Sequence, residues 1–209
     1  MPAEIILVGG ASVLTNHEFR NSTVDIDAII KSSSVVKEAI AIIGEKYNLP
    51  NDWLNTDFEK TKSFSPKLRE VSVYYKTFSG ILDIRTINSE YLVAMKLMAG
   101  RDYKHDLSDI VGIFWEHEKK GNYLKKEDIE KAIITLYKNI KNIPKDSIDF
   151  LNKIFSCNNY EKLYIEMKKE EENARKLLSN FEKKYPNTIN RENIDKIIKD
   201  LIKKDKQQN

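Results

Sequence analysis

Two glycines and two aspartates are the first residues in this chain whose types and spacing suggest chemistry. Val8-Gly9-Gly10 is followed, fifteen residues after Gly10, by Asp25-Ile26-Asp27. On a β-strand, side chains two residues apart point to the same side, which would set Asp25 and Asp27 roughly 6.5–7 Å apart at Cα. Two like charges so placed repel each other and suit few structural roles; a divalent cation between them makes them useful. Ligation by oxygen alone favours Mg²⁺ or Mn²⁺, and Mg²⁺ commonly binds through one or two carboxylates plus substrate phosphates. A Gly-Gly turn leading into a helix supplies the other half. Without side chains, Gly9 and Gly10 let phosphate oxygens approach backbone N–H groups, and the helix N-terminus favours anions. Together the two segments read as a site for a metal-bound nucleoside triphosphate. Each also has a plainer reading. Gly9-Gly10 fits an ordinary strand-to-helix turn, and Asp25 and Asp27 fit solvated carboxylates that blunt strand pairing at a sheet edge.

The elements that must position these residues follow from periodicity. Glu4 to Val8 is a short apolar run that reads as a buried strand, and Ala11 to His17 as a short helix. Thr23 to Ile30 reads as a second strand, with Val24, Ile26 and Ala28 alternating against the two aspartates. Ser32-Ser33-Ser34 offers caps for an amphipathic helix carrying Val35, Val36, Ala39, Ile40, Ile43 and Tyr47. Residues 48–66 read as a loop with a local helical turn. Val71–Thr77 and Ile81–Ile87 read as two strands joined by a hairpin turn at Ser79-Gly80. Asn88 or Ser89 then caps a helix over Glu90–Ala99, which Gly100 stops, and another helix starts near Asp106. From Lys125 onward the pattern is helical, with breaks at Pro144, Asn158-Asn159 and Pro186. The fold class is α/β (α+β), a small mixed sheet with flanking helices over residues 1–118 and a helical region over 119–209.

Beyond those residues the chain resembles the nucleotidyltransferase superfamily, whose signature is a hydrophobic-Gly-Gly/Ser element followed by Asp-x-Asp on the next strand. Arg20-Asn21-Ser22-Thr23-Val24-Asp25-Ile26-Asp27 is similar to the Arg…Thr-x-Asp-x-Asp form of AbiEii-like proteins, the toxin half of AbiE-type toxin–antitoxin systems. Tyr91 to Arg101, with Lys96-Leu97, and then Asp106-Leu107-Ser108-Asp109-Ile110 resemble that group's Lys-Leu…Arg…Asp-x-x-Asp-Ile segment. The Leu49-Pro50-x-x-Trp53-Leu54-Asn55 stretch is similar to an uncharacterised subgroup, and the likeness covers about residues 4–115. It implies Asp25 and Asp27 as metal ligands, Gly9, Gly10 and Arg20 at the triphosphate, and Lys96 and Arg101 at the nucleotide. Asp106 or Asp109 would complete the active-site motif. It further implies an NTP substrate, Mg²⁺ or Mn²⁺, an acceptor such as tRNA or another RNA, and a cognate antitoxin protein. A third acidic ligand often lies on a later strand, where Asp83 is the candidate; flanked by Leu82 and Ile84, it equally fits a solvated edge residue. A module that keeps the fold but binds nucleotide or protein without turnover is the competing reading.

Several residues have readings of their own. Lys96 is surrounded by apolar residues on nearly every helical face, so it either snorkels or meets an anionic partner, phosphate or carboxylate. Asp106 fits an N-cap with Asp109 at the third helical position, a role compatible with catalysis. His17, His105 and His117 lack a ligand spacing and read as packing or surface groups. Trp115 reads as core, and Trp53 and Asn55 as possible borders of the pocket. A stripe of Leu163, Met167, Ala174, Leu177 and Phe181, interrupted by Glu170, would pack on a helix of the same chain or on a partner.

Composition sets the outer bounds. The 209 residues hold 35 Lys+Arg, 32 Asp+Glu and 41% hydrophobic residues, enough for a core and too many for global disorder. The charge is uneven: residues 1–89 hold 10 basic and 11 acidic groups, residues 90–209 hold 25 and 21. A basic helical half permits contact with RNA without demanding it. A single cysteine, Cys157, excludes an internal disulfide or a multi-cysteine zinc site. No apolar run spans a bilayer and Met1-Pro2-Ala3-Glu4 has no secretory pattern, so a soluble cytoplasmic protein without membrane contact is expected.

Overall fold

The computed structural model describes residues 3–23, 25–31, 34–190 and 192–208. Strand β1 (Ala3–Leu7) leads into helix α1 (Gly9–Asn16), and the chain returns as β2 (Ile26–Lys31). Helix α2 (Ser34–Lys46), the short β3 (Leu54–Asn55) and the one-turn α3 (Leu68–Val71) follow. The hairpin β4 (Ser72–Phe78) and β5 (Leu82–Ile87) completes a five-stranded mixed sheet in the order β3-β2-β1-β5-β4. β1 runs antiparallel to β2 and parallel to β5. Ser79 and Gly80, the expected turn, both take positive φ, at 50° and 68°; two left-handed residues give the twist a tight hairpin needs.

Among the described residues, seven further stretches are helical after the sheet's last strand is set. The largest are α4 (Ser89–Ala99), α5 (Asp106–Lys119), α6 (Lys126–Tyr137), α7 (Lys145–Phe155), α8 (Tyr160–Lys184) and α9 (Ile194–Gln208). α4 ends on Gly100 in the left-handed conformation, φ 53°. α7 starts after Pro144, and the Asn159 side chain caps α8 by accepting the Lys162 N–H. One hydrophobic cluster joins the sheet to the helices. Ile6, Val8, Ile29 and Ile87 pack with Leu92, Leu97, Ile110 and Ile113, and these in turn with Ile133, Leu136, Ile154, Leu163 and Met167. The division at 118/119 falls at the last residue of α5, and helices on both sides of it contribute to this cluster. A smaller cluster of Ala174, Leu178 and Ile198 ties α8 to α9 and takes in Tyr103.

Three details differ from the sequence reading. α1 starts at Gly9, so both glycines lie in its first turn instead of preceding it. β2 starts at Ile26, which leaves Asp25 in the bend before the strand and only Asp27 on it; the expected Val24, like the caps Ser32 and Ser33, lies outside the described residues. α2 does not bury an apolar stripe: Val35 is 68% exposed and Tyr47 63%, while Gly44 is its buried residue. The helix sits on Trp53, whose indole packs against Gly44 and donates to the Ile40 carbonyl at 3.2 Å. No helix among the described residues is long and apolar enough to cross a membrane.

Candidate active site

The end of β1, the start of α1 and the start of β2 meet at one point. The Val8 N–H donates to the Asp27 carbonyl at 3.0 Å, one step past the Leu7–Ala28 pair. This register sets Asp27 beside the first turn of α1. Gly9 has φ +54°, and a Cβ there would stand 3.4 Å from Asp27 Oδ2. A side chain at Gly9 would thus strain the backbone and crowd the carboxylate. At Gly10 a Cβ would meet Thr23 Oγ1 at 2.8 Å and Arg20 Nη2 at 2.9 Å, so Arg20 lies directly over the second glycine. The connection from α1 to β2 is itself braced. Arg20 donates to the Ser22 carbonyl and Thr23 to the Asp25 carbonyl, both at 3.0 Å, and Phe19 sits where a side chain at Gly112 would be.

Beneath this turn lies a buried ion network. The Lys96 ammonium sits 3.0 Å from Asp106 Oδ1 and 2.9 Å from Asp109 Oδ2. Arg20 reaches Asp109 Oδ2 at 2.6 Å, and Arg101 Nε reaches Asp106 Oδ2 at 2.8 Å. Three cations meet two carboxylates, leaving a positive excess under the site. Asp106 is fully buried and Asp109 nearly so. Burial alone would push the Asp106 carboxyl up and the Lys96 ammonium down, but the pairing outweighs it. Asp106 is held far below the usual carboxylate range by Lys96 and Arg101, and Lys96 above its ordinary value by Asp109 and Asp106. The Lys96 ammonium is therefore committed to carboxylates in this structure. Asp106 is the first residue of α5 with His105 ahead of it, so its carboxylate serves Lys96 and Arg101, not its own helix as a cap.

Asp27 is the contrasting case. Its carboxyl is raised, first by burial and next by the charge of Asp25, while Arg101, Lys96 and Lys104 act in the opposite direction. Asp25 is near enough for its charge to raise the Asp27 carboxyl even with Arg101, Lys96 and Lys104 acting against it, and a divalent cation at this pair would relieve that repulsion. Their hard oxygen donors suit Mg²⁺ or Mn²⁺. Among the described residues no group of three or more His, Cys, Asp or Glu side chains gathers into a metal cluster, so the remaining ligands would come from substrate phosphate and water. Lys104 was missed in the sequence. The signal was present in the short polar loop Arg101-Asp102-Tyr103-Lys104-His105 between two helices that carry the motif.

Residues 1–126 match the family described as nucleotidyltransferase of unknown function (DUF6036). The chain belongs to this nucleotidyltransferase family. A comparison with curated proteins finds no match.

In the nucleotidyltransferase, Asp83 is not brought to Asp25 and Asp27. It pairs with Glu4 on β1 and Thr77 on β4, four residues along β5 from Ile87. That offset is roughly 13 Å along the strand, and Ile6 and Ile29 fill the space on the way. The Thr77 hydroxyl donates to Asp83 at 2.5 Å, an edge-strand pairing that a reading of strand order alone could not register. Trp53 and Asn55 support α2 and the turn at Asp57 instead of lining this site. Trp115 is half-buried, stacked between Tyr164 and the Lys119 ammonium.

The nucleotidyltransferase also draws on residues beyond the family match. Glu171 of α8, 1% exposed, accepts the Ser108 N–H at 3.0 Å and the Ser108 hydroxyl at 2.6 Å. It thereby satisfies the open first turn of α5, the helix that presents Asp106 and Asp109. The buried stripe of α8 is Leu163, Met167, Glu171, Ala174 and Leu178, so the polar interruption is Glu171, not Glu170, and it has a partner. Tyr164 adds a hydrogen bond from its hydroxyl to the Phe19 carbonyl at 3.2 Å. Glu171→Ala is expected to lower stability by about 1–3 kcal/mol, since it orphans a buried N–H and hydroxyl. Amide exchange should show the first turn of α5 opening before the rest of the helix.

Proposed function

We propose that this chain moves a nucleotide from an NTP to a hydroxyl of a macromolecular acceptor, with a divalent cation at Asp25 and Asp27. The observation that carries the reading is Asp27 Oδ2 lying against the side-chain-free Gly9 at the start of α1. An acid and an anion-accepting helix start so juxtaposed are mutually useful only with a metal-bound polyphosphate between them. The cation, when bound, would neutralise charge building on the pyrophosphate and orient the α-phosphoryl group. The backbone N–H groups at Gly9 and Gly10 would hold phosphate oxygens, with Arg20, Arg101 and Lys104 supplying charge around them. The acceptor oxygen forms its bond to the α-phosphorus and gives up its proton to water as the bond to the α,β-bridging oxygen breaks, and pyrophosphate leaves. Positioning and electrostatics carry such a step.

The finer identity follows the AbiEii-like resemblance by analogy: tRNA or another RNA as acceptor, a cytoplasmic toxin–antitoxin or phage-defence setting, and a cognate antitoxin as partner. The test is incubation of the protein with Mg²⁺, each α-labelled NTP in turn and total cellular RNA. Label should appear in ribonuclease-sensitive product with release of pyrophosphate. Label sensitive to protease instead would make a protein the acceptor. No pyrophosphate from any NTP would leave a non-catalytic binding module.

A further inference from the structure

A second polar site lies at the opposite ends of α1, α4 and α5. Ser89, the first residue of α4, stands between two imidazoles: His117 Nε2 is 2.9 Å from its hydroxyl and His17 Nε2 is 3.3 Å from it. The protons can be assigned. His117 Nδ1 lies 2.7 Å from the Asn122 carbonyl, which can only accept, so Nδ1 carries the proton. In neutral His117 the Nε2 atom is then bare and accepts from the Ser89 hydroxyl. The lone pairs of Ser89 Oγ are left to face His17 Nε2. His17 is 6% exposed, and its Nδ1 lies 3.3 Å from Glu116 Oε1, a coulombic contact without an aligned hydrogen bond. Burial holds the His17 imidazole below its ordinary pKa.

The hydroxyl opens onto a pocket of about 330 Å³ lined also by Asn16, Val73 and Lys120. Asn88, at the N-cap of α4, gives no side-chain acceptor to the helix. The first-turn N–H groups of α4 therefore stay open toward an anion formed beside Ser89. A hydroxyl with a tautomer-fixed base on one side, a second imidazole on the other and helix N–H groups nearby has the parts of an activated nucleophile.

We propose that Ser89 is a nucleophile for acyl transfer, with His117 as its base and small carboxylic esters as the substrate class. Ser89 Oγ bonds to the acyl carbon while its proton passes to His117 Nε2. The ester's alkoxide takes that proton and departs. Water then attacks the acyl-Ser89 ester, giving its proton to His117, and the acid is released as Ser89 regains its hydrogen. Nothing in this sequence uses the metal–nucleotide site, so the two activities stand or fall separately.

The test treats the full chain with a fluorophosphonate probe and maps the adduct by mass spectrometry. One adduct on Ser89 is expected, absent in Ser89→Ala and formed at least ~100-fold more slowly in His117→Gln, the usual scale of a lost general base. Nucleotidyl transfer by Ser89→Ala should match the wild type. A second measurement uses Ser89→Cys, whose thiol should react with iodoacetamide faster at neutral pH than the exposed-solvent value for cysteine allows, because His117 lowers its pKa. No probe adduct on Ser89, equal labelling of wild type and His117→Gln, or an ordinary thiol rate in Ser89→Cys would each overturn the proposal.

Discussion

Asp27→Asn is expected to lower Mg²⁺-dependent pyrophosphate release on the order of 10³-fold while leaving the fold intact. The change keeps the shape and removes one charged ligand, and a cation's transition-state contribution of several kcal/mol corresponds to that factor. Stability should move the other way. Burial and the neighbouring Asp25 raise the Asp27 carboxyl, so the ionised group costs stability above its unfolded pKa. That cost is relieved as pH falls through the raised folded value. At neutral pH, without metal, the melting temperature of Asp27→Asn should therefore equal or exceed that of the wild type. The two should converge as the pH is lowered through the carboxylate range. Addition of Mg²⁺ and NTP should raise the wild-type melting temperature and leave that of Asp27→Asn little changed, since only a ligand that binds the folded state stabilises it. A single variant thus separates the functional role of this acid from any structural one.

Lys96→Met should do the reverse and cost stability first. Its ammonium sits between two buried carboxylates, and removing one partner of a buried ion pair typically costs about 3–5 kcal/mol, roughly 6–20 °C for a chain of this size. Calorimetry or a denaturant melt would read the loss directly. Asp106→Asn should cost less in the Lys96→Met background than in the wild type, because the buried carboxylate then no longer has its ammonium. The pH dependence follows from the same pairing. Asp106 is held far below its usual range, so its stabilising contribution is fully present above the unfolded carboxylate pKa of about 3.9. It is lost as pH falls toward the depressed folded value. Wild-type unfolding should therefore begin below about pH 4, whereas Asp106→Asn loses that branch of the acid transition.

β1 and β5 were readable as short apolar runs that stop at Gly9-Gly10 and Asn88, and the β4–β5 hairpin by its Ser79-Gly80 turn, whereas the two-residue β3 fell in a stretch that reads as a loop. Gly100 and Pro144 marked helix boundaries for reasons that hold in any context: one takes a left-handed cap, the other cannot donate a helical N–H. Lys96 was legible as a cation that needed an anion, since apolar neighbours surrounded it on the helix wheel. Which anion it takes was decided by tertiary geometry, in which α5 brings Asp106 and Asp109 under it. Asp83 could not be placed from sequence, because a strand's register against its neighbours sets which end of the sheet a residue occupies. Glu171 is invisible at sequence level for a related reason. It looks like one more surface glutamate in a Lys/Glu-rich helix, and only the packing of α8 on α5 shows that it closes a helix start. The exposed apolar residues of α2 show the opposite failure, a helical period without a matching buried face, because Trp53 and Gly44 make its contact instead.

The most direct measurement is a calorimetric titration of Mn²⁺ with a non-hydrolysable NTP into the wild type, Asp25→Asn and Asp27→Asn. The wild type should bind cation and nucleotide together, each tightening the other. Either substitution should weaken that joint binding by at least ~100-fold, beyond the loss seen when only a supporting group around a metal is removed. Equal affinity in all three proteins, or nucleotide binding indifferent to the metal, would contradict the placement of a cation between these carboxylates and the first turn of α1.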